Sequence, residues 1–355
     1  MRIHLPEAAE SHGKALEVHS WNLPGRHWKW RMHSSALTLV DRMMSEWRGD
    51  WIPDAFLVTD MMDVGQLRAA LPSRMRQVPI VLYFHENQLT FPNHHERKAK
   101  AWDRHYAFLN LTSALLADAV WFNSAYHRRE FLSAVPDFLK CLPAPRPVDS
   151  AERIEARSEV VPIGIREDVF NEAGECPSVY GAGAPVVVWN HRWEYDKGPD
   201  EFMGVLEEAR HRGARFRIAV MGEAFDAVPD SFKRMRSVFS NDIVQWGRIE
   251  KRADYVQRLH AADLALVTAR HDFFGISVLE SAAAGLDIVA PNDLVYPEHF
   301  GAVRLHDREG LCDAFIGALS GGRRGAWKKE ASRYAWPKVA DLAWKSLLRT
   351  WESGP

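Results

Sequence analysis

Residues Leu264–Glu280 read LALVTARHDFFGISVLE. The run Leu264–Thr268 is short and apolar, as a strand buried on both faces is. A polar loop with Asp272 follows, then Gly275, then a helical stretch over Ser277–Ala284. A strand that feeds a loop and then a helix is part of a βαβ unit, so an α/β fold is expected. Outward from this stretch the pattern repeats. Strands are predicted at Phe56–Thr59, Pro79–Phe84, Ala119–Phe122, Pro185–Trp189, Phe216–Met221, Ile243–Trp246 and Ile288–Ala290. Helices are predicted at Ala99–Leu116, Asp200–His211 and Ala253–His260, with a terminal helical segment over Lys328–Trp351 interrupted near Pro337.

The chain has 355 residues, which at roughly 150 per domain implies about two domains. The low-apolarity segment Pro143–Arg157, followed by Val160–Pro162 and a glycine-rich turn at Tyr180–Ala184, marks the boundary. The expected division is an acceptor domain over 1–158, a donor domain over 159–326, and a helical segment over 327–355 that packs back toward the first domain. Two doubly wound domains joined there place a ligand cleft at the carboxyl ends of their strands. Cys141, Cys176 and Cys312 are too far apart in sequence for a CxxC metal site or a disulfide framework. With no signal peptide, the expected setting is the reducing cytoplasm. No apolar run approaches the roughly 18 residues of a membrane span, so no membrane partner is expected.

The net charge of −2 excludes a polycation. The first 150 residues carry 18 basic and 16 acidic residues, and ten of the sixteen histidines. Such a half suits an anionic partner with exposed bases, through stacking and local positive charge. Scattered surface residues give the same composition.

Two clusters follow predicted strands of the second half. In the first, the backbone N–H groups at Gly275, Ile276 and Ser277 face an anion at a helix N-terminus. Asp272 and Glu280 flank that point and can reach hydroxyls on either side of a bound diphosphate. Equally, Asp272 fits a helix cap and Glu280 a surface helix position. The second cluster, HRWEYDKG over His191–Gly198, offers Arg192 as a planar fork and Lys197 as a point charge. Gly222 and Glu223 follow a third strand, so three strand-end loops can line one site.

Other patterns carry no chemistry. Gly181-Ala182-Gly183 precedes a strand, whereas a dinucleotide fingerprint follows one. His94-His95 and His85-Glu86 lack partners at metal-ligand spacing, so no metal is expected. Asn110-Leu111-Thr112 is a formal glycosylation sequon inside a predicted helix.

Arg192 and Lys197, with Asp272 and Glu280 in the setting DFFGISVLE, resemble the donor site of retaining glycosyltransferases of the GT-B type, family 4. That family's usual first acid is Glu, so Asp272 is one carbon shorter. Longer motifs narrow the resemblance. LPGRHWKWRM (Leu23–Met32), YFHENQLTFP (Tyr83–Pro92), ADAVWFNS (Ala117–Ser124), NHRWEYDKGP (Asn190–Pro199) and DLVYPEHF (Asp293–Phe300) are similar to the tRNA-queuosine α-mannosyltransferase family. The likeness covers nearly the whole chain. It departs at the start, where the family has a strand, a Gly-Gly-Ser-His loop and a helix. Here Ser11-His12 remain without the paired glycines, and an opening strand or helix is expected to be shortened.

The resemblance implies an α/β fold of the GT-B type: two Rossmann-like doubly wound domains that face each other across a cleft. It implies transfer of mannose from GDP-mannose to queuosine in a tRNA anticodon loop, with retention and no required cofactor. Arg192 and Lys197 then bind the diphosphate and Glu280 the ribose hydroxyls. Gly275, Ile276 and Ser277 supply backbone donors, and Gly222 and Glu223 border the nucleotide. Asp272 orients the sugar and His85 contacts the reacting region. Glu86, Asn87 and Gln88 read queuosine or fix their own loop. Arg26, Trp28, Lys29, Trp30 and Arg31 contact the tRNA, unless the tryptophans line a strand and pack into the core. Two rival readings remain: another nucleotide sugar or acceptor, and a non-catalytic tRNA-binding protein with a vestigial donor pocket.

Overall fold

The computed structural model describes residues 1–25, 27–47, 49, 51–91, 101–171, 180–223, 228–301, 305–321 and 325–352. Its first half comprises α1 (His4–Ser11), α2 (Trp28–Glu46), β1 (Phe56–Thr59), α3 (Val64–Ala70), β2 (Ile80–Phe84), α4 (Ala101–Leu116), β3 (Ala119–Phe122), α5 (Ala125–Lys140), α6 (Ser150–Glu155) and β4 (Ser158–Val160). There follow β5 (Val186–Trp189), α7 (Pro199–His211), β6 (Arg217–Val220), α8 (Asp230–Val238), β7 (Ile243–Trp246), α9 (Arg252–His260) and β8 (Leu264–Leu266). The chain ends with α10 (Ile276–Ala283), β9 (Asp287–Val289), α11 (Tyr296–Phe300), α12 (Leu311–Gly321), α13 (Lys328–Ala331) and α14 (Trp336–Glu352). The strands anticipated from apolar runs are all present to within about two residues, the usual uncertainty of element ends. One strand has no such run. β4 is only Ser-Glu-Val, and Glu159 at its centre pairs with Arg349 of α14.

Two compact units result, Met1–Pro162 with Pro337–Pro355, and Ile163–Trp336. Both crossings lie later in the chain than the composition boundaries, because β4 completes the first sheet and α13 belongs to the second unit.

In the first unit the parallel strands run in sequence order, β1-β2-β3-β4. Right-handed crossovers in such a sheet put every connecting helix on one face. Accordingly Ile80, Leu82, Phe84, Val120 and Phe122 share a core with residues of α2 through α6. Strand alternation turns Tyr83 and Trp121 to the opposite face, where their rings meet edge-on at 5.7 Å. The buried Trp121 indole donates to Ser346 Oγ of α14 at 2.8 Å. Asp341 of α14 in turn meets His12, just past α1, at 2.6 Å. The end of the chain therefore supplies the layer that the sequence-ordered crossovers leave open. Among the described residues no strand precedes Phe56, so β1 is an edge with Leu57 exposed.

The second unit has the parallel order β7-β6-β5-β8-β9. Its strand order reverses between β5 and β8, which makes their carboxyl ends the crevice of a doubly wound sheet. Trp189, Phe202, Phe216, Phe232, Phe239 and Phe315 fill the core on the side of α7, α8 and α12. The turn before β5 is a linker: the Arg217 guanidinium donates to the carbonyls of Tyr180, Gly181 and Ala184.

Ser346→Ala strands the buried Trp121 N–H without its acceptor. Urea unfolding should show a loss of about 1–3 kcal/mol, and an unchanged midpoint would contradict the role given to α14.

Candidate active site

Two loops leave the sheet at the reversal point, Asn190–Gly198 after β5 and Val267–Gly275 after β8. They are locked by a close approach at Gly198 (φ 66°), where a Cβ would lie 2.0 Å from the Thr268 carbonyl oxygen. The Thr268 hydroxyl donates to the Gly198 carbonyl at 2.9 Å. A third loop joins them at Gly222 (φ 119°), where a Cβ would fall 2.1 Å from the His191 carbonyl oxygen. The Trp193 N–H donates to the Glu223 carbonyl. Glu223 itself pairs with Arg248, beyond the end of β7, at 2.8 Å.

The two cations of the first loop differ in setting. The Lys197 side chain is only 9% exposed, and its Nζ lies 2.8 Å from the His271 carbonyl, 3.1 Å from Asp196 and 3.9 Å from Asp272. Arg192 is half exposed and meets Glu194 at 3.3 Å. Asp272 accepts from the Gly275 N–H at 2.8 Å and from the Tyr296 hydroxyl at 3.1 Å. Burial raises the Asp272 pKa, but Lys197 and these two donors outweigh it and hold the carboxyl below the ordinary aspartate value. Asp272 is thus a largely buried anion that braces the turn ahead of α10, whose capping residue is Gly275 and which has no side-chain cap. Because the Gly275 N–H is spent on it, the backbone donors left at the N-terminus of α10 are those of Ile276 and Ser277, which have no partner within the helix.

Glu280, one and a half turns into α10, is partly buried rather than a solvated surface acid. Its Oε1 accepts from Arg252 at 2.6 Å and its Oε2 from the Tyr255 hydroxyl at 2.9 Å. Arg252 also grips Asp168 at 3.0 Å. The Asn190 amide donates to Tyr255 Oη, the Ser277 carbonyl and Ser281 Oγ. Burial and the neighbouring Glu280 drive the Tyr255 pKa well above the usual phenol value, so it remains a donor. Each Glu280 oxygen keeps a second lone pair for a ligand hydroxyl.

Asp168, Arg252 and Tyr255 were not singled out from sequence, because each is remote from Glu280 along the chain, and Asn190 opened the motif NHRWEYDKGP without a role. His191 and Tyr296 lay inside recognised motifs without a role. His191 Nδ1 faces Ser277 Oγ at 3.0 Å, and Tyr296 holds Asp272. His299 spans the Phe274 carbonyl at 2.6 Å and the Tyr334 hydroxyl at 2.8 Å. A carbonyl only accepts, so Nε2 carries the proton and Nδ1 accepts. The motif DLVYPEHF therefore clamps the Asp272–Gly275 turn.

In the first unit His85 follows β2 with its ring against Tyr83 at 4.2 Å and 41% of its side chain exposed. Its N–H donates to buried Asp60, and its carbonyl accepts from Asn123. Asn87 is fully buried and its oxygen accepts from the N–H groups of Leu89 and Thr90, so this residue fixes the loop. Asn110 of α4, the nominal sequon asparagine, is buried between the Gln88 N–H and the Asp60 carbonyl. Glu86 and Gln88 are partly buried on the same turn. Trp28, Lys29, Trp30 and Arg31 open helix α2 and not a strand, and both tryptophans are exposed. Arg26, His94 and His95 lie outside the described residues.

Residues 4–165 match a family model described as tRNA-queuosine alpha-mannosyltransferase N-terminal. Over 294 residues the chain is 31% identical to the tRNA-queuosine alpha-mannosyltransferase of Drosophila melanogaster, covering 81% of this chain and 75% of that protein. The chain belongs to the tRNA-queuosine α-mannosyltransferase family. It is a glycosyltransferase. Among solved structures it is similar to sucrose-phosphate synthase from Thermosynechococcus elongatus, with TM-score 0.66 and 14% identity over 94% of this chain and 81% of that one. It is also similar to α,α-trehalose 6-phosphate synthase from Burkholderia multivorans, with TM-score 0.64 and 15% identity over 98% and 79%. These likenesses show the GT-B type of α/β fold with parallel sheets. No described helix is long and apolar enough to cross a membrane.

Around Asp272, burial pushes both His191 and His299 down to about 4. Their unfolded value is 6.5. Between these values the unfolded chain binds more protons, so stability is full above the upper value and declines as pH falls toward the lower. Each histidine contributes on the order of 3 kcal/mol at most. Urea midpoints taken across this window should fall with acidification, and His299→Gln, which gains no proton, should flatten the decline. A midpoint independent of pH would refute neutral burial.

Proposed function

We propose that the protein transfers mannose from GDP-mannose to a hydroxyl of queuosine in a tRNA anticodon loop, with retention at the sugar. The observation that carries this reading is the convergence of Lys197, Asp272 and the first turn of α10 at the strand-order reversal, in a chain of this family.

A diphosphate at Ile276 and Ser277 meets helix N–H groups and the positive pole of α10. Lys197 and Arg192 offset its charge as the bond from mannose C1 to the phosphate oxygen breaks. Those charges are held in place before the reaction, which is how a site stabilises a developing anion without reorganising. The queuosine hydroxyl oxygen forms the new bond to C1 on the same face, and its proton passes to the departing phosphate. GDP and mannosyl-queuosine result. Glu280, gripped by Arg252 and Tyr255, accepts from the ribose hydroxyls, while Asp272 accepts from the mannose hydroxyls. Gly222 and Glu223 border the nucleoside. His85, with Glu86 and Gln88 on a turn that Asn87 and Asn110 hold, reads the acceptor, and Trp28, Lys29, Trp30 and Arg31 meet the tRNA.

Purified protein incubated with GDP-mannose and queuosine-containing tRNA should add one hexose mass to queuosine in nucleoside mass spectrometry. Turnover with a different nucleotide sugar alone would move the donor assignment; tRNA binding with no turnover of any donor would leave a binding protein.

Within this reading Tyr255→Phe removes the donor to one Glu280 oxygen and one of the three acceptors of the Asn190 amide. A hydrogen bond to a charged group is worth about 1.5–3 kcal/mol, so the donor KM should rise by roughly tenfold or more with a smaller change in kcat. An equal loss confined to kcat would place Glu280 in the chemistry instead of donor binding.

A further inference from the structure

Helix α2 begins against the ordinary rules for a helix N-terminus. Its capping residue, His27, is left-handed at φ 57° and forms no side-chain cap, and the first turn holds no acid. Lys29 and Arg31 stand there instead, where the helix dipole is already positive. The stretch Trp28–Leu39 contains no carboxylate at all. Exposed rings accompany this charge: Trp30 is 64% exposed, Trp28 38% and, on α4, Phe108 42%.

Helix α4 completes the pattern. Its Tyr106 packs against the Trp28 ring at 5.2 Å, and the Lys29 ammonium lies 5.5 Å from the Trp28 ring and 5.8 Å from that of Tyr106. One turn further along α2, His33 stacks on His105 with centroids 4.9 Å apart and planes 14° from parallel. Rings thus alternate with basic groups across two helices, and Arg104 adjoins them on α4.

We propose that this face, the first two turns of α2 with Arg104–Phe108 of α4, receives unpaired nucleotides that flank the modified one in the tRNA loop. The proposal rests on the acceptor reading above and extends it to His33, His105 and Phe108, with the buried Tyr106 bracing Trp28. Single rings separated by cations suit splayed bases with phosphates between them, whereas a protein partner would be expected to find a contiguous apolar anchor. The placement also fits. Tyr106, which braces Trp28, and Asn110, which holds the Gln88 N–H, are one turn apart on α4, about 6 Å along its axis. The flanking surface and the loop assigned to queuosine are therefore set by one rigid helix.

The test is fluorescence anisotropy with a labelled substrate tRNA that lacks queuosine, run at several salt concentrations. Wild-type protein should bind, Trp30→Ala should weaken binding on the order of tenfold, and Trp30→Phe should recover most of it. Lys29→Gln should reduce the slope of log affinity against log salt by about one. The double change His33→Ala with His105→Ala should weaken binding severalfold, with circular dichroism melting as the check on folding. Folded variants that bind this tRNA as tightly as wild type overturn the proposal, as does wild-type protein that binds no tRNA. Binding that depends on Trp30 without any transfer to queuosine would sink the acceptor chemistry and leave this surface standing. Transfer to queuosine with Trp30→Ala binding intact would do the reverse.

Discussion

The second unit is organised around one ammonium group removed from water. Lys197 keeps its charge buried because Asp196 on its own loop, and the His271 carbonyl and Asp272 on the next, surround it. Removing one partner of such a buried pair typically costs about 3–5 kcal/mol. The loops after β5 and β8 are therefore held at one separation by electrostatics, not by loop sequence alone. Gly198 is what makes that approach sterically possible, as Gly222 does for the loop after β6, since any Cβ there would strike a carbonyl oxygen. Charge and backbone geometry are consequently one constraint, and neither could be relaxed without losing the other.

The same constraint fixes the carboxylates. Asp272 is an anion because Lys197, with the Gly275 N–H and the Tyr296 hydroxyl, outweighs its burial. Glu280 is tied through Tyr255 to Asn190, at the very start of the lysine loop. A chain of polar contacts thus runs from β5 to α9 to α10, with every link short and most of it out of solvent. Arg192 stands apart from this lattice, paired with Glu194 on its own loop. The lysine is rigid and buried, whereas the arginine is half exposed.

The second unit was the more legible half in sequence. Its strands are uninterrupted apolar runs, and its chemistry follows strand ends at Arg192–Lys197 and Asp272–Glu280, so local pattern and tertiary position agree. What stayed hidden are contacts between residues far apart in the chain: Asp168 with Arg252, Tyr255 with Glu280, His299 with Phe274. Periodicity carries no information about such pairs. β4 was missed for a different reason, since three residues with a central Glu159 show no apolar run and owe their pairing to β3 and α14. Asn110 illustrates the converse error, where a surface motif in the sequence is a buried bridge in the fold.

The first unit is less legible where its sequence conflicts with its own local structure. LPGRHWKWRM offers no cap and places cations at the positive end of a helix, so it gives no helix signal. A strand with inward tryptophans was the alternative, and the structure shows a helix with outward ones. A helix that forms despite its first turn is held by its later turns, here Ala36, Val40 and Met43 in the core. The cost at its start is then unexplained by folding. Places where local rules fail while the fold succeeds are where function is expected to reside, and helix α2 is such a place, with Lys29 and Arg31 in a first turn that holds no acid.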